Sequence, residues 1–96
     1  MSYFACTYVY GPAEEQAKFR PAHRAYLGEL VEAGKLAASG PFVSEDDPGA
    51  LLLFIGQSTE EVEELIAHDP MHQGGAVLSY TVREWNPVMG SVGPQN

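Results

Sequence analysis

Residues 50–70 read ALLLFIGQSTEEVEELIAHDP, and three signals in this stretch decide the fold. The run from Ala50 to Ile55 is strand-sized and unbroken in its apolar character, which predicts a strand buried on both faces. Ser58-Thr59-Glu60-Glu61 follows as a capping box, with Ser58 at the cap and Glu61 three residues on. Val62, Leu65 and Ile66 then recur at helical spacing, the apolar stripe of a short helix. Asp69-Pro70 ends that helix, because the residue before a proline avoids the α region. A strand is thus followed by a helix, and neither can bury its apolar side alone.

The same order recurs on either side. Downstream, residues 71–76 form a loop into residues 77–85, where Leu78, Tyr80 and Val82 alternate with Ser79, Thr81 and Arg83 as in a half-buried strand. Upstream, residues 3–10 are aromatic and β-branched and stop at Gly11-Pro12, a first strand. Residues 13–19 read as a polar connection with room for a short helical turn. A helix is expected over residues 20–33, with Pro21 in its first turn and Gly34 as its stop. Its buried stripe comprises Phe19, His23, Tyr26, Leu27, Leu30 and Val31. Residues 35–42 form a weak second strand broken at Gly40-Pro41, and residues 43–49, with Glu45, Asp46, Asp47 and Pro48, a polar turn. The order β-α-β-β-α-β is the ferredoxin-like motif, an α+β subunit with an antiparallel four-stranded sheet and its helices on one face. The other face needs a cover, and the sheet of a second subunit is the expected one.

At 96 residues the chain is one domain, expected over residues 1–86, with a flexible tail over 87–96 that carries Gly90, Gly93 and Pro94. A chain of this size buries about 60% or more of the surface it exposes when unfolded, a thin core that pairing with a second copy would help. No stretch approaches the roughly 18 apolar residues of a membrane span, and the first residues lack the basic region of a signal peptide. The lone Cys6 can form no intramolecular disulfide and reads as a small buried hydrophobe, which fits a reducing cytoplasm. Thirteen Asp and Glu against five Lys and Arg give a net charge of −8. That balance argues against nucleic acid and membrane surfaces as partners, both of which need a basic face. A single pocket can still differ in sign from the whole surface.

His23 and Asp69 are the first chemical candidates. His23 lies within the apolar stripe of the first helix, and imidazole suits acid–base work near neutral pH. Asp69 continues the stripe of the second helix at its C-terminus, where the macrodipole disfavours a carboxylate, so a cationic or hydrogen-donating partner is expected. A His–carboxylate pair would fix the imidazole tautomer, as in catalytic dyads and triads. The bland alternatives are a satisfied core histidine and a self-contained Asp-Pro turn. His72 would complete a three-ligand set for a metal ion, although D-P-M-H is not a metal motif, and a solvated loop histidine is the simpler reading. Ser39-Gly40-Pro41 reads as either the backbone part of a site or a plain strand bend. Arg20 and Arg24 flank His23; each could bind a substrate carboxylate or pair with the chain's own acids. There is no phosphate loop, no nucleophile turn and no CxxC, so no nucleotide or redox cofactor is expected.

Taken together, Arg20-Pro21-Ala22-His23, Leu27, Gly34-Lys35-Leu36, Gly40-Pro41, Asp47-Pro48-Gly49-Ala50, Asp69-Pro70 and a closing strand ending in Trp85 resemble the YciI-like, or YCII-related, family. The resemblance implies a ferredoxin-like subunit that dimerises into an α+β barrel, as the muconolactone isomerases do. It also implies a pocket with a catalytic His–Asp pair, roles that fall here on His23 and Asp69. Dehydrochlorinase-like or muconolactone-isomerase-like chemistry on a small cyclic compound is implied with it, as is the absence of a cofactor. Substrate contacts are expected at Arg20, Ser39, Gly40, Pro41 and His72. After Pro70 the sequence departs from the family pattern: Met71-His72-Gln73-Gly74-Gly75 replaces a more apolar segment, in a loop expected to border the pocket. The alternatives are a homodimeric module that holds a metabolite without chemistry, or a His–Asp pair that only stabilises the core.

Overall fold

The computed structural model describes residues 1–44 and 46–92; Glu45 of the expected turn and residues 93–96 of the expected tail lie outside the described residues. The chain runs β1 (Ser2–Tyr10), α1 (Ala13–Glu32), β2 (Leu36–Pro41), β3 (Gly49–Gly56), α2 (Thr59–Ala67), α3 (Pro70–Gln73) and β4 (Val77–Trp85). All strand pairs are antiparallel, in the order β2-β3-β1-β4 of the ferredoxin-like fold. Alternation along the two inner strands builds the core. Phe4, Cys6, Tyr8 and Tyr10 of β1 and Leu52 and Phe54 of β3 pack with Leu27 and Leu30 of α1, Val62 and Ile66 of α2 and Met71 of α3.

The opposite face of the sheet is open, which corrects the expectation that β3 is buried on both sides. Leu51 is 39% exposed, and Leu53 and Ile55 are only half-buried. The reason is geometric: the helices pack on one face, and a strand sends alternate side chains to the other. Each aliphatic side chain left uncovered forgoes up to about 1.5–3 kcal/mol of burial.

The first helix is longer than its sequence suggests. It starts at Ala13, not near Pro21, and Pro21 sits inside it. Proline removes one backbone donor and frees the carbonyl of Ala17, but both residues are exposed, so water can satisfy that carbonyl. The added N-terminal turns are tied down by Gln16, whose buried amide donates to the Gly11 carbonyl at 2.9 Å. At the other end Gly34 stops the helix as expected. Its φ of +76° lets Lys35 N–H bond Leu30 C=O at 2.8 Å and Gly34 N–H bond Val31 C=O at 3.1 Å, a Schellman closure. Val31 is 52% exposed rather than buried, and it lines a cavity between α1 and β2.

Ser58 caps α2 as expected, accepting from Glu61 N–H at 3.2 Å, while the Glu61 carboxylate reaches back to Gln57 N–H at 2.7 Å. The expected loop after Pro70 is instead partly helical: residues 70–73 form the single turn α3, opened by Asp69. Pro87 is buried, so packing continues just past β4. No helix among the described residues is long and apolar enough to cross a membrane.

Candidate functional site

Asp69 is the anchor of the site. It is 1% exposed, and its carboxylate accepts three hydrogen bonds, from Met71 N–H at 3.0 Å, His23 Nδ1 at 2.7 Å and the Tyr8 hydroxyl at 2.8 Å. The helix α2 already ends at Ala67, with His68 as its C-cap, and Asp69 is the N-cap of α3 with Pro70 in the first helical position. The expected electrostatic misplacement is therefore reversed, because a carboxylate at a helix start meets free N–H groups instead of free carbonyls.

His23, 7% exposed, faces Asp69 from the middle of α1. A carboxylate only accepts hydrogen bonds, so Nδ1 carries a proton, and in the neutral ring the lone pair falls on Nε2. Nε2 has no hydrogen-bond partner among the described residues, and His23 lines a cavity of about 350 Å³. Tyr8 holds the carboxylate from the other side. Burial, and then the negative charge of Asp69, push its hydroxyl well above the ordinary tyrosine range, so it stays a donor.

The cavity lies between α1 and the β2–β3 edge. From α1 it takes Gln16, Arg20, His23, Arg24, Leu27, Gly28 and Val31, residues three or four apart and hence on one helix face. Leu36, Ser39, Gly40 and Pro41 of β2, Ala50 of β3, Tyr10 and Met71 complete the wall. Arg20, Ser39, Gly40 and Pro41 thus line the same cavity as His23. Tyr10 presents a protonated hydroxyl there: burial and the charge of Asp69 push it up to about 12, against a smaller opposing pull from Arg20.

His72, expected to contact substrate, is not part of this wall. Consecutive helical residues point about 100° apart. Met71 therefore faces the cavity, while His72 packs edge-on to Tyr80 with ring centroids 5.6 Å apart. Among the described residues no three His, Cys, Asp or Glu side chains are grouped to hold a metal ion, so His23, Asp69 and His72 do not form a ligand set. Sequence reasoning missed Tyr8, Tyr10 and Gln16. The available signal was in β1, where a buried stripe containing two tyrosines has hydroxyls that need partners. Gln16 was hidden in the stretch read as a connection.

The profile described as the YCII-related domain matches residues 1–86. No curated protein matches the sequence. Among solved structures, the chain is similar to 5-chloro-2-hydroxyhydroquinone dehydrochlorinase from Burkholderia phenoliruptrix AC1100 in complex with 2,5-dihydroxybenzoquinone. That likeness has a TM-score of 0.73 at 24% identity and covers 88% of this chain and 93% of the other. The chain is also similar to an antibiotic biosynthesis monooxygenase, with a TM-score of 0.56 at 15% identity over 97% of this chain and 100% of the other. A dimeric ferredoxin-like protein of unknown function from Jannaschia sp. CCS1 gives 0.51 at 12% identity over 90% and 99%. At these identities the structural likenesses show the fold.

Proposed function

The chain belongs to the YCII-related domain family, and from that premise we propose that it is a cofactor-free lyase or isomerase acting on a small cyclic metabolite by proton transfer. The observation that carries this reading is the 2.7 Å contact from His23 Nδ1 to the buried Asp69, which leaves Nε2 as a base on the cavity wall. Nε2 takes a proton from a carbon next to a carbonyl, and the imidazolium that forms is stabilised by the adjacent carboxylate. Met71 N–H and the Tyr8 hydroxyl keep that carboxylate in place throughout. Return of the proton to another carbon completes an isomerisation. In an elimination, the electron pair of the broken C–H bond forms the new double bond, and the leaving group departs with its own bonding pair. The Tyr10 hydroxyl is available to donate to the substrate oxygen that gains charge.

The dehydrochlorinase named above acts on a small ring and removes hydrogen chloride, which supports the lyase form of this chemistry. We also assign a homodimer, supported by the open sheet face carrying Leu51, Leu53 and Ile55. A cytoplasmic location is supported by the single buried thiol of Cys6. The test is incorporation of solvent deuterium into a panel of enolisable ring compounds, 2,5-dihydroxybenzoquinone among them. The wild type is expected to catalyse exchange into at least one member, and His23→Gln to lose about 100-fold or more of that rate, the scale of general acid–base catalysis. Exchange at equal rates in the two proteins removes His23 from the reaction.

A further inference from the structure

We infer that the cavity beside His23 selects an anionic ring compound, its carboxylate or phenolate oxygens held by Arg20 and Arg24, with Gln16 positioning Arg20. This deepens the proposed function, since it names the substrate class of the same cavity.

The case rests on where the few cations stand. A chain with 13 acidic and five basic residues offers each cation many partners, and Lys18 takes one, Glu15, at 3.0 Å. Arg20 and Arg24 form no ion pair among the described residues, and neither do Lys35 and Arg83; what sets the two arginines apart is their place in the cavity. Both line the cavity, and none of its lining residues is acidic. Asp69, buried beside His23, already accepts three donors. Two positive charges thus stand on a wall that carries no acidic side chain. In a cavity partly screened from water, such an excess acts more strongly than it would on the open surface.

Gln16 sets the direction of Arg20. Its amide donates to Gly11 C=O at 2.9 Å, and its amide oxygen accepts from Arg20 Nη2 at 3.1 Å. The carbonyl can only accept and the guanidinium can only donate, so the amide has a single orientation. Arg20 and Arg24 stand one helical turn apart, two fork-shaped donors suited to the paired oxygens of a carboxylate. Leu27, Leu36, Ala50 and Met71 supply an apolar wall for the ring, and about 350 Å³ is at the small end of ligand cavities, where one ring fits.

The test compares benzoate with benzamide, which share a shape and differ in charge, by NMR titration of the whole protein at neutral pH. Benzoate is expected to bind about tenfold tighter or more. The preference disappears in the double variant Arg20→Gln, Arg24→Gln and shrinks in Gln16→Met, the loss falling mainly on benzoate because only its charged oxygens gain the charge-assisted bonds. Arg20→Lys keeps most of the preference, and the Tm of each variant, read alongside, separates loss of binding from loss of fold. His23→Gln retains the preference, so a failure of proton transfer is distinguishable from a failure of charge recognition. Equal affinities in the wild type, absence of benzoate binding, or a preference that survives the double variant overturns the inference.

Discussion

Tyr8 and Asp69, 61 positions apart, meet through a 2.8 Å hydrogen bond that ties the interior strand β1 to the start of α3. The bond makes a core residue part of the site's support: the carboxylate that orients His23 is itself oriented by the sheet. It also sets the cost of disturbing the site, since both partners are at most 1% exposed.

Tyr8→Phe removes only the hydroxyl and leaves Asp69 Oδ2 without its protein donor. A buried polar group deprived of a partner costs about 1–3 kcal/mol, so denaturant unfolding should show a loss of that size with an unchanged m-value. Exchange activity should fall with it, because His23 is then held by a carboxylate fixed on one side only. An unchanged midpoint would mean that the hydroxyl is not bonded in solution.

Cys6 is fully buried, and burial followed by the charge of Asp69 pushes its thiol up to about 12. Below the unfolded value of 9.0 both states keep the proton; above it only the unfolded state loses it until about 12. Raising the pH through this window therefore favours unfolding, by at most about 1.4 kcal/mol per pH unit for one group. Tyr10 adds to the same fall between 10.0 and about 12. Unfolding free energy measured against pH should decline from about pH 9 upward, and less steeply in Cys6→Ala. A thiol reagent at neutral pH should modify the native wild type only as fast as the fold opens.

Gly49 opens β3 where the backbone carbonyl of Tyr8 would meet any added Cβ. Strand backbone cannot yield as a side-chain tip can, so Gly49→Ala should cost about 1–3 kcal/mol, read by thermal or urea unfolding. Because Tyr8 is the displaced neighbour, the variant should also loosen the grip on Asp69. A neutral Gly49→Ala would show that β3 slides freely past β1.

The strands and α2 are legible in sequence because alternation and capping are local signals, and His23 is legible as an inward residue because helical periodicity carries it. The start of α1 is not, because Pro21 resembles a first-turn proline and only the tertiary anchor of Gln16 on Gly11 shows that the helix began earlier. Asp69 was placed correctly as an inward residue but for the wrong electrostatic reason, since a four-residue helix such as α3 has too few positions to display a period. His72 looked like a site residue because it lies near Asp69 in the chain, yet one step along a helix turned it toward Tyr80. Tyr8 was invisible because nothing in the sequence says that positions 8 and 69 meet.

The open sheet face makes the oligomer testable. Sedimentation at micromolar concentration should give twice the chain mass for the wild type, and Leu51→Glu with Leu53→Glu should give one chain mass while the circular dichroism is retained. Both positions lie beside Ala38, Gly40 and Phe42 on a shallow apolar surface of the open face. A wild type that sediments as a monomer contradicts the homodimer.

Asp69 holds His23 by Nδ1 and leaves Nε2 without a partner among the described residues, an arrangement that can be read without knowing the substrate. Long-range proton–nitrogen NMR of the neutral His23 ring reports directly which nitrogen carries the proton. The expected result is a proton on Nδ1 and a lone pair on Nε2 in the wild type, and loss of that fixed tautomer in Asp69→Ala. A wild-type ring with its proton on Nε2 would contradict it.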